Sequence, residues 1–345
     1  MSENGDPPQK KGPIGMKSIR KTCLAALAAI CLLFALAGCG SEGADSSAPP
    51  DSPSSSASSQ KPEKDPSGAA ITVPDEVGAI ISMAPSITQT LCDLGLADKL
   101  VAIDTQSKAY AEGVKDGVPE FDMMKPDTEK MISLKPDLVL VSGISDVSGN
   151  DLFKPLKDVG ICVANIPSSS SIDGVKNDVQ FIADCVGKSD EGKALVDAMQ
   201  KDIDAIRAIG ETITDKKTVL FEIAAAPQIY SFGKNTFLDE MITLIGATNV
   251  LGDQDSWISV TEEAAVSANP DVILTNVNYL AEDPVEEIKG RSGWEAVTAV
   301  KDGAVYYIDN GASSLPNHHI VDALKQMAKA VYPEQYAGIA DPFAA

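Results

Sequence analysis

Two glutamates sit in near-identical surroundings far apart in the chain. Glu129 lies in Thr128-Glu129-Lys130-Met131-Ile132-Ser133-Leu134-Lys135-Pro136-Asp137-Leu138-Val139-Leu140. Glu263 lies in Glu262-Glu263-Ala264-Ala265-Val266-Ser267-Ala268-Asn269-Pro270-Asp271-Val272-Ile273-Leu274. In each copy the acid falls in the first turn of a short helical stretch, seven residues before Pro-Asp, and an apolar run follows. A carboxylate so placed has two uses. It complements the helix macrodipole, or it offers an arginine of another protein a directional, salt-sensitive partner. Either residue alone fits the first use. A matched pair in two similar lobes fits the second, with Glu262 competing for the second position.

Other reactive chemistry is sparse. His318 and His319 are the only histidines and are adjacent. A zinc or manganese receptor draws several His and carboxylate ligands from both lobes, so no metal site is expected. Neighbouring histidines also suit haem iron or cobalt, and a capped helix start is the alternative. The sequence contains no Gly-x-Ser-x-Gly elbow, no His-Glu-x-x-His and no P-loop, and Gly143-Ile144-Ser145 lacks a second glycine at the required spacing. No catalytic residue is assigned and the chain is read as a non-enzyme. An extracytoplasmic hydrolase and a lipid-anchored adhesin or sensor are the off-class alternatives.

The amino terminus places this chemistry outside the cytoplasm. Lys10, Lys11, Lys17, Arg20 and Lys21 precede an apolar run from Leu24 to Ala37. That run is too short to span a bilayer as a mature helix but suits a signal-peptide core, with Met16 as the better start. Leu36-Ala37-Gly38-Cys39 resembles a bacterial lipobox, which implies cleavage after residue 38 and lipidation of Cys39. Residues 39–77 then read as a tether, Ser/Pro/Ala-rich to about residue 69, that cannot bury enough apolar surface to order itself. The whole chain carries a net charge of −22, and the leader contributes five basic and two acidic side chains, which leaves the mature chain near −25. Such a balance excludes a nucleic-acid footprint and favours basic partners or cationic ligands. Cys23 and Cys31 leave with the leader, so Cys92, Cys162 and Cys185 remain beside the lipid site. Export permits a disulfide between Cys162, which opens a strand, and Cys185, which ends the returning helix.

Short apolar runs alternate with helical patterns from residue 78 onward. Strand-like runs at 79–83, 100–103, 138–141 and 161–164 form a first lobe at 78–187. Leu195, Val196, Met199, Ile203 and Ile206 recur at helical spacing within 189–209, with Gly210 as the stop, so 188–212 reads as a linking helix. Runs at 218–223, 229–232, 272–274 and 305–308 form a second lobe at 213–345. The expected class is α/β: two Rossmann-like lobes with mostly parallel sheets, joined by one long rigid helix.

Several segments together carry a family resemblance. Ile80-Ile81-Ser82-Met83-Ala84-Pro85-Ser86-Ile87-Thr88-Gln89-Thr90-Leu91 followed by Leu94-Gly95 resembles the opening of cobalamin- and ferric-siderophore-binding proteins of ABC importers. Leu134-Lys135-Pro136-Asp137-Leu138-Val139, Gly233-Lys234-Asn235-Thr236-Phe237-Leu238-Asp239-Glu240, and Leu315-Pro316 leading into Ile320-Val321-Asp322-Ala323-Leu324 are similar to the same family. The resemblance spans 78–335. It implies a solute held between two lobes with limited hinge motion, no covalent cofactor, and delivery to a membrane permease with a cytoplasmic ATPase. It also implies that Glu129 and Glu263 meet permease arginines, and that the protein works as a lipid-anchored monomer on the outer face of the cell membrane. Asn317-His318-His319 stands where a Gly-Pro-Arg type turn is common in relatives.

In α/β lobes ligands gather at the carboxyl ends of strands. That rule puts Met83, Pro85, Ser86, Met123, Met124, Ser142 and Gly143 on one wall. Pro227, Lys234, Trp257, Asn278 and Ser314 face them. Trp257, six residues before Glu263, is where the resemblance implies a ligand-stacking aromatic, with a core tryptophan as the alternative. Met123 and Met124 suit a soft surface against a large flat ligand, or ordinary loop packing, while Trp294 and Phe153 read as structural. No arginine cluster marks these loops, which disfavours a strongly anionic catecholate complex. The expected ligand is an uncharged or cationic chelate, cobalamin or a ferric hydroxamate, ahead of haem.

Overall fold

The computed structural model describes residues 61–143 and 151–343. The leader, Cys39, most of the tether, and Ile144 and Ser145 of the expected cleft wall lie outside the described residues. The first lobe runs β1 (Ile80–Met83), α1 (Pro85–Asp93), β2 (Leu100–Asp104), β3 (Glu120–Phe121), α2 (Thr128–Ser133), β4 (Leu138–Ser142), α3 (Lys154–Asp158), β5 (Cys162–Ile166) and α4 (Ile172–Cys185). Its five strands pair in the order β3-β2-β1-β4-β5, all parallel. Buried on both faces, β1 and β4 have no polar face to show, and their sequences are nearly continuous apolar runs.

The linking helix α5 spans Ser189–Gly210, 22 residues and about 33 Å. Met199, Ile203 and Ile206 lie in one apolar core with α6, α11 and the first turns of α4. The second lobe contains β6 (Thr218–Glu222), β7 (Ile229–Phe232), α6 (Phe237–Leu244), β8 (Thr248–Asn249), β9 (Trp257–Val260) and α7 (Glu262–Ala268). There follow β10 (Val272–Thr275), α8 (Pro284–Lys289), α9 (Thr298–Lys301), β11 (Val305–Tyr307), α10 (Asn310–Ser314) and α11 (Ile320–Val331). A parallel sheet β11-β10-β6-β8 forms its centre, with β7 and β9 as a separate antiparallel ribbon.

The duplicated segment is duplicated in space. After α2 and α7 the chain turns through a left-handed residue before proline, Lys135 (φ 51) and Asn269 (φ 45). The next aspartate then fastens the start of the neighbouring strand. Asp137 Oδ2 accepts from the backbone N–H of Gly78 and Ala79, at 2.8 and 2.9 Å. Asp271 Oδ2 accepts from the Thr218 backbone N–H and hydroxyl, at 2.8 and 2.7 Å. In each lobe Pro-Asp therefore sets the parallel register of the central strand pair, β1 with β4 and β6 with β10.

Four local expectations change or sharpen. Residues 61–77 are packed, so the tether of 39–77 ends sooner. Val73 and Val77 join the core around Ile80 and Leu91, and Asp65 Oδ2 accepts from the Asn165 N–H at 2.9 Å. A charged, proline-containing run hides these few apolar anchors from a composition reading. Pro85 and Ser86, which the sequence suggests as the loop after the first strand, open α1 instead, because proline at the first helical position loses no hydrogen bond. Gly210 is the last residue of α5, as expected, though not through a left-handed turn. It permits contact, since a Cβ there would stand 2.1 Å from Leu244 O and 3.0 Å from Gly246 N. Finally, Cys92, Cys162 and Cys185 are all free. Burial pushes the Cys185 thiol up to about 12 and also raises Cys162, which favours the neutral thiol at both.

Candidate functional site

The strand order of the first lobe reverses between β1 and β4, which makes the gap beyond their carboxyl ends the natural place for a ligand. A cavity of about 230 Å³ opens there. Ala84, Pro85, Ser86 and Ile87 line it from the start of α1, and Ser142 from the end of β4. The turn after β5 contributes Ile166, Pro167, Ser168 and Ser169, and α4 adds Asp178 and Ile182. Across the gap, Phe237, Trp257 and Ser314-Leu315-Pro316 of the second lobe close the other wall.

Of the expected residues, Pro85, Ser86, Met123, Ser142, Trp257 and Ser314 come together at this cavity. The other six do not line it. Met83 is fully buried in the core between β1 and α2, because the cavity begins one residue beyond it. Met124 points to solvent, 53 % exposed. Gly143 lies behind the wall, where a Cβ would approach Pro167 Cα at 3.1 Å. Pro227, Lys234 and Asn278 are exposed on loops of the second lobe.

For Pro227, which follows β6, the reason lies at the tip of that strand. Glu222, 1 % exposed, is bound in fork-to-fork fashion by Arg291, with Nη1 and Nη2 at 2.7 and 2.6 Å from its two oxygens. Arg291 also grips Glu287 and stacks on Trp294, 4.8 Å from the ring centroid. This buried cluster occupies the strand end that sequence reasoning assigned to ligand.

The aromatic wall is built from the β7–β9 ribbon. Trp257 pairs with Phe232 across the ribbon, with ring centroids 5.9 Å apart and nearly perpendicular, and Phe237 flanks it at 6.3 Å. Both neighbours are buried, and Trp257 stays 40 % exposed. Its packed edge fixes the indole and leaves a free face, so it is not a core tryptophan.

Polar groups are few. Ser142 Oγ is buried and finds no partner among the described residues. Ser314 is held by Asn276 Nδ2, which donates to it at 3.0 Å and to Ser313 at 2.9 Å. Asp178 is 7 % exposed and accepts a hydrogen bond from Ser169. Burial raises its carboxyl to about 6 against the opposing effect of that bond. No lysine, arginine or histidine is among the described lining residues. Ile166 to Ser169 and Asp178 were missed in the sequence. The signal available was the Ser-rich turn at 168–171 after an apolar strand.

The two outward glutamates stand as expected. Glu129 follows the N-cap Asp127 in α2, and Glu263 follows the N-cap Thr261 in α7, both exposed. The two glutamates at the second position differ in their packing. Glu262 is half-buried and accepts from the Trp294 indole N–H at 3.3 Å, which ties it to the Arg291 cluster.

A profile of the periplasmic binding protein family matches residues 80–312. The chain belongs to this family. An ABC transporter substrate-binding lipoprotein of Bacillus subtilis, YvrC, is 34 % identical over 87 % of this chain and 94 % of that protein. A cobalamin-binding protein of Halobacterium salinarum is 27 % identical over 78 % of this chain and 73 % of its own length. Among solved structures, a possible iron-binding (periplasmic solute-binding) protein of Staphylococcus epidermidis is 31 % identical and superposes with a TM-score of 0.66. That superposition covers 75 % of this chain and all of the other. This periplasmic binding protein is a substrate-binding protein of the ABC-transporter type. It is a binder and not an enzyme.

Proposed function

We propose that this protein is the lipid-anchored receptor of an ABC importer, tethered through Cys39 to the outer face of the cell membrane and working as a monomer. In this reading it captures an uncharged or cationic chelate, cobalamin or a ferric hydroxamate, and hands it to the permease. The observation that carries the reading is the cavity at the β1–β4 strand ends, walled by both lobes, with a fixed aromatic face and no cationic side chain among its described lining. An anionic ligand would need basic partners there. Its volume of about 230 Å³ falls below the ~300–1,000 Å³ usual for drug-sized ligands. A chelate must therefore widen the gap between the lobes or stand partly outside it.

Pro85, Ser86, Met123, Ser142, Trp257 and Ser314 are the proposed ligand contacts, with the Ser142 hydroxyl as a hydrogen-bonding group. Glu129 and Glu263 are the proposed docking pair, one per lobe. The permease and its ATPase complete the assembly.

Titration with cyanocobalamin, a ferric hydroxamate and hemin, followed by calorimetry and visible absorbance, tests the ligand class. Saturable binding of hemin alone overturns the assignment. With the bound chelate identified, the Glu129→Ala/Glu263→Ala double variant tests docking in membranes that contain the permease. Uptake and ligand-stimulated ATP hydrolysis are expected to vanish at unchanged ligand affinity. Undiminished uptake refutes the docking role.

A further inference from the structure

Away from the cavity wall, the two lobes meet at a cluster of potential metal ligands. Asp93 closes α1 of the first lobe, and His318 and His319 precede α11 of the second. His318 Nε2 lies 3.0 Å and His319 Nε2 2.9 Å from the same oxygen, Asp93 Oδ2. The imidazole rings are stacked with centroids 4.2 Å apart. One ligand atom from each of the three side chains falls within 4.8 Å of the others.

His319 Nδ1 faces Asp322 Oδ2 at 3.4 Å. A carboxylate only accepts, so this contact places an N–H on Nδ1. Nε2 can then meet Asp93 as the second N–H of an imidazolium, or give up that proton to a metal ion held between the same two groups. On the other ring, His318 is nine-tenths buried at its side chain, and its Nδ1 has no partner. Among the described residues its only polar engagement is therefore with Asp93. Two imidazoles converging on one carboxylate oxygen, with a second carboxylate behind one ring, is the arrangement of a metal-ligating histidine and its orienting partner.

We propose that Asp93, His318 and His319 form a site for a zinc-type divalent ion that staples the two lobes together beside the ligand cavity. Two imidazole nitrogens and one carboxylate oxygen suit zinc, cobalt, nickel or copper and not the oxygen-seeking calcium or magnesium. Metal–ligand bonds of about 2.0–2.2 Å in a tetrahedron put neighbouring ligand atoms ~3.3 Å apart. The two nitrogen–oxygen separations, 3.0 and 2.9 Å, reach that with shifts of a few tenths of an ångström, and the two imidazole nitrogens lie within 4.8 Å of each other. Asp93 is 39 % exposed, so the fourth position opens to solvent. Asp322 is the orienting partner of His319. The ion is not the transported solute, because none of the three ligands lines the cavity. It nevertheless acts on the same wall, since Leu315 and Pro316 line the cavity and the next residues carry the ligands. Asn317 reinforces the junction by donating to Gln89 Oε1 of α1 at 2.7 Å.

The test uses the full chain, stripped with a chelator and titrated with zinc alone at pH 7.5 by calorimetry. One equivalent is expected to bind at micromolar free zinc and to raise the thermal midpoint. Cobalt in place of zinc should give the absorption bands of a tetrahedral site. Asp93→Asn, His318→Gln and His319→Gln should each abolish the one-equivalent step and the cobalt bands. Asp322→Asn keeps all three ligands and should weaken zinc by about 10–100-fold, a result that loss of folding does not mimic. Far-ultraviolet circular dichroism checks that each variant is folded. Absence of saturable zinc binding in the parent protein overturns the proposal. So does binding that the ligand variants leave unchanged, which would place the metal on surface carboxylates. Neither result bears on solute capture, because no solute is present.

Discussion

Asp178 should make the stability of this protein fall as pH rises through the mildly acidic range. Its carboxyl is 7 % exposed, and Ser169 is its hydrogen-bonding partner. Burial lifts it from 3.8 to about 6. A raised folded-state pKa means that the native state holds the proton more tightly than the unfolded chain. The contribution is therefore fully present below about pH 3.8 and is lost as pH climbs to about 6. A shift of that size corresponds to about 3 kcal/mol. Other carboxylates titrate over the same range, so the measurement is a difference. Urea unfolding of the parent and of Asp178→Asn, each from pH 4 to pH 8, isolates the term. The amide imitates the protonated acid and can still accept from Ser169. Asp178→Asn should be close to the parent at the acid end and more stable by about 2–3 kcal/mol at pH 8. Parallel curves would refute the reasoning and mean that water or a neighbour relieves the buried charge. The same carboxylate gives a ligand readout. A cationic chelate should bind more tightly above pH 6 than below it, and an uncharged one should not.

Two further outcomes probe what holds the lobes in shape. Arg291→Met leaves Glu222 buried without its counter-charge, and unfolding in urea should show a loss of about 3–5 kcal/mol. Adding Glu222→Gln should recover most of it, and failure to recover would assign the loss to packing on Trp294. Gly210→Ala places a methyl group against backbone on the facing turn. It should cost about 1–3 kcal/mol in thermal or urea unfolding, and an unchanged midpoint would show that α5 and α6 can separate freely.

The recurring Pro-Asp segment, the helical spacing of Met199, Ile203 and Ile206, and the strand runs at 79–83 and 138–141 were legible because they obey local rules. Periodicity marks α5, burial on two faces makes β1 and β4 apolar, and turn chemistry places Pro-Asp. Half of the expected cavity residues were found by the same logic, since strand ends are local features and the β1–β4 reversal follows from strand order. Pro227 stands away from the cavity because that rule assumes an open end to β6, while Lys234 and Asn278 follow other strands. Arg291, 69 residues beyond Glu222, fills that end, and no local pattern announces the pairing. Asp178 was missed because one aspartate on an amphipathic helix looks like any other until its face is known to be inward.

The sequence alone determined the two-lobed α/β class, the linking helix, the paired outward glutamates and the absence of a catalytic motif. Each of these rests on spacing within a few turns or strands. The tertiary structure decided which glutamate of the second pair is free, because only packing ties Glu262 to Trp294. It decided where the cavity closes, because Trp257 is oriented by Phe232 and Phe237 from other elements. It also brought Asp93 to His318 and His319 across more than 200 residues. Burial, charge pairing and ligand sets are properties of neighbours in space, and the order of residues along a chain carries them only through the fold.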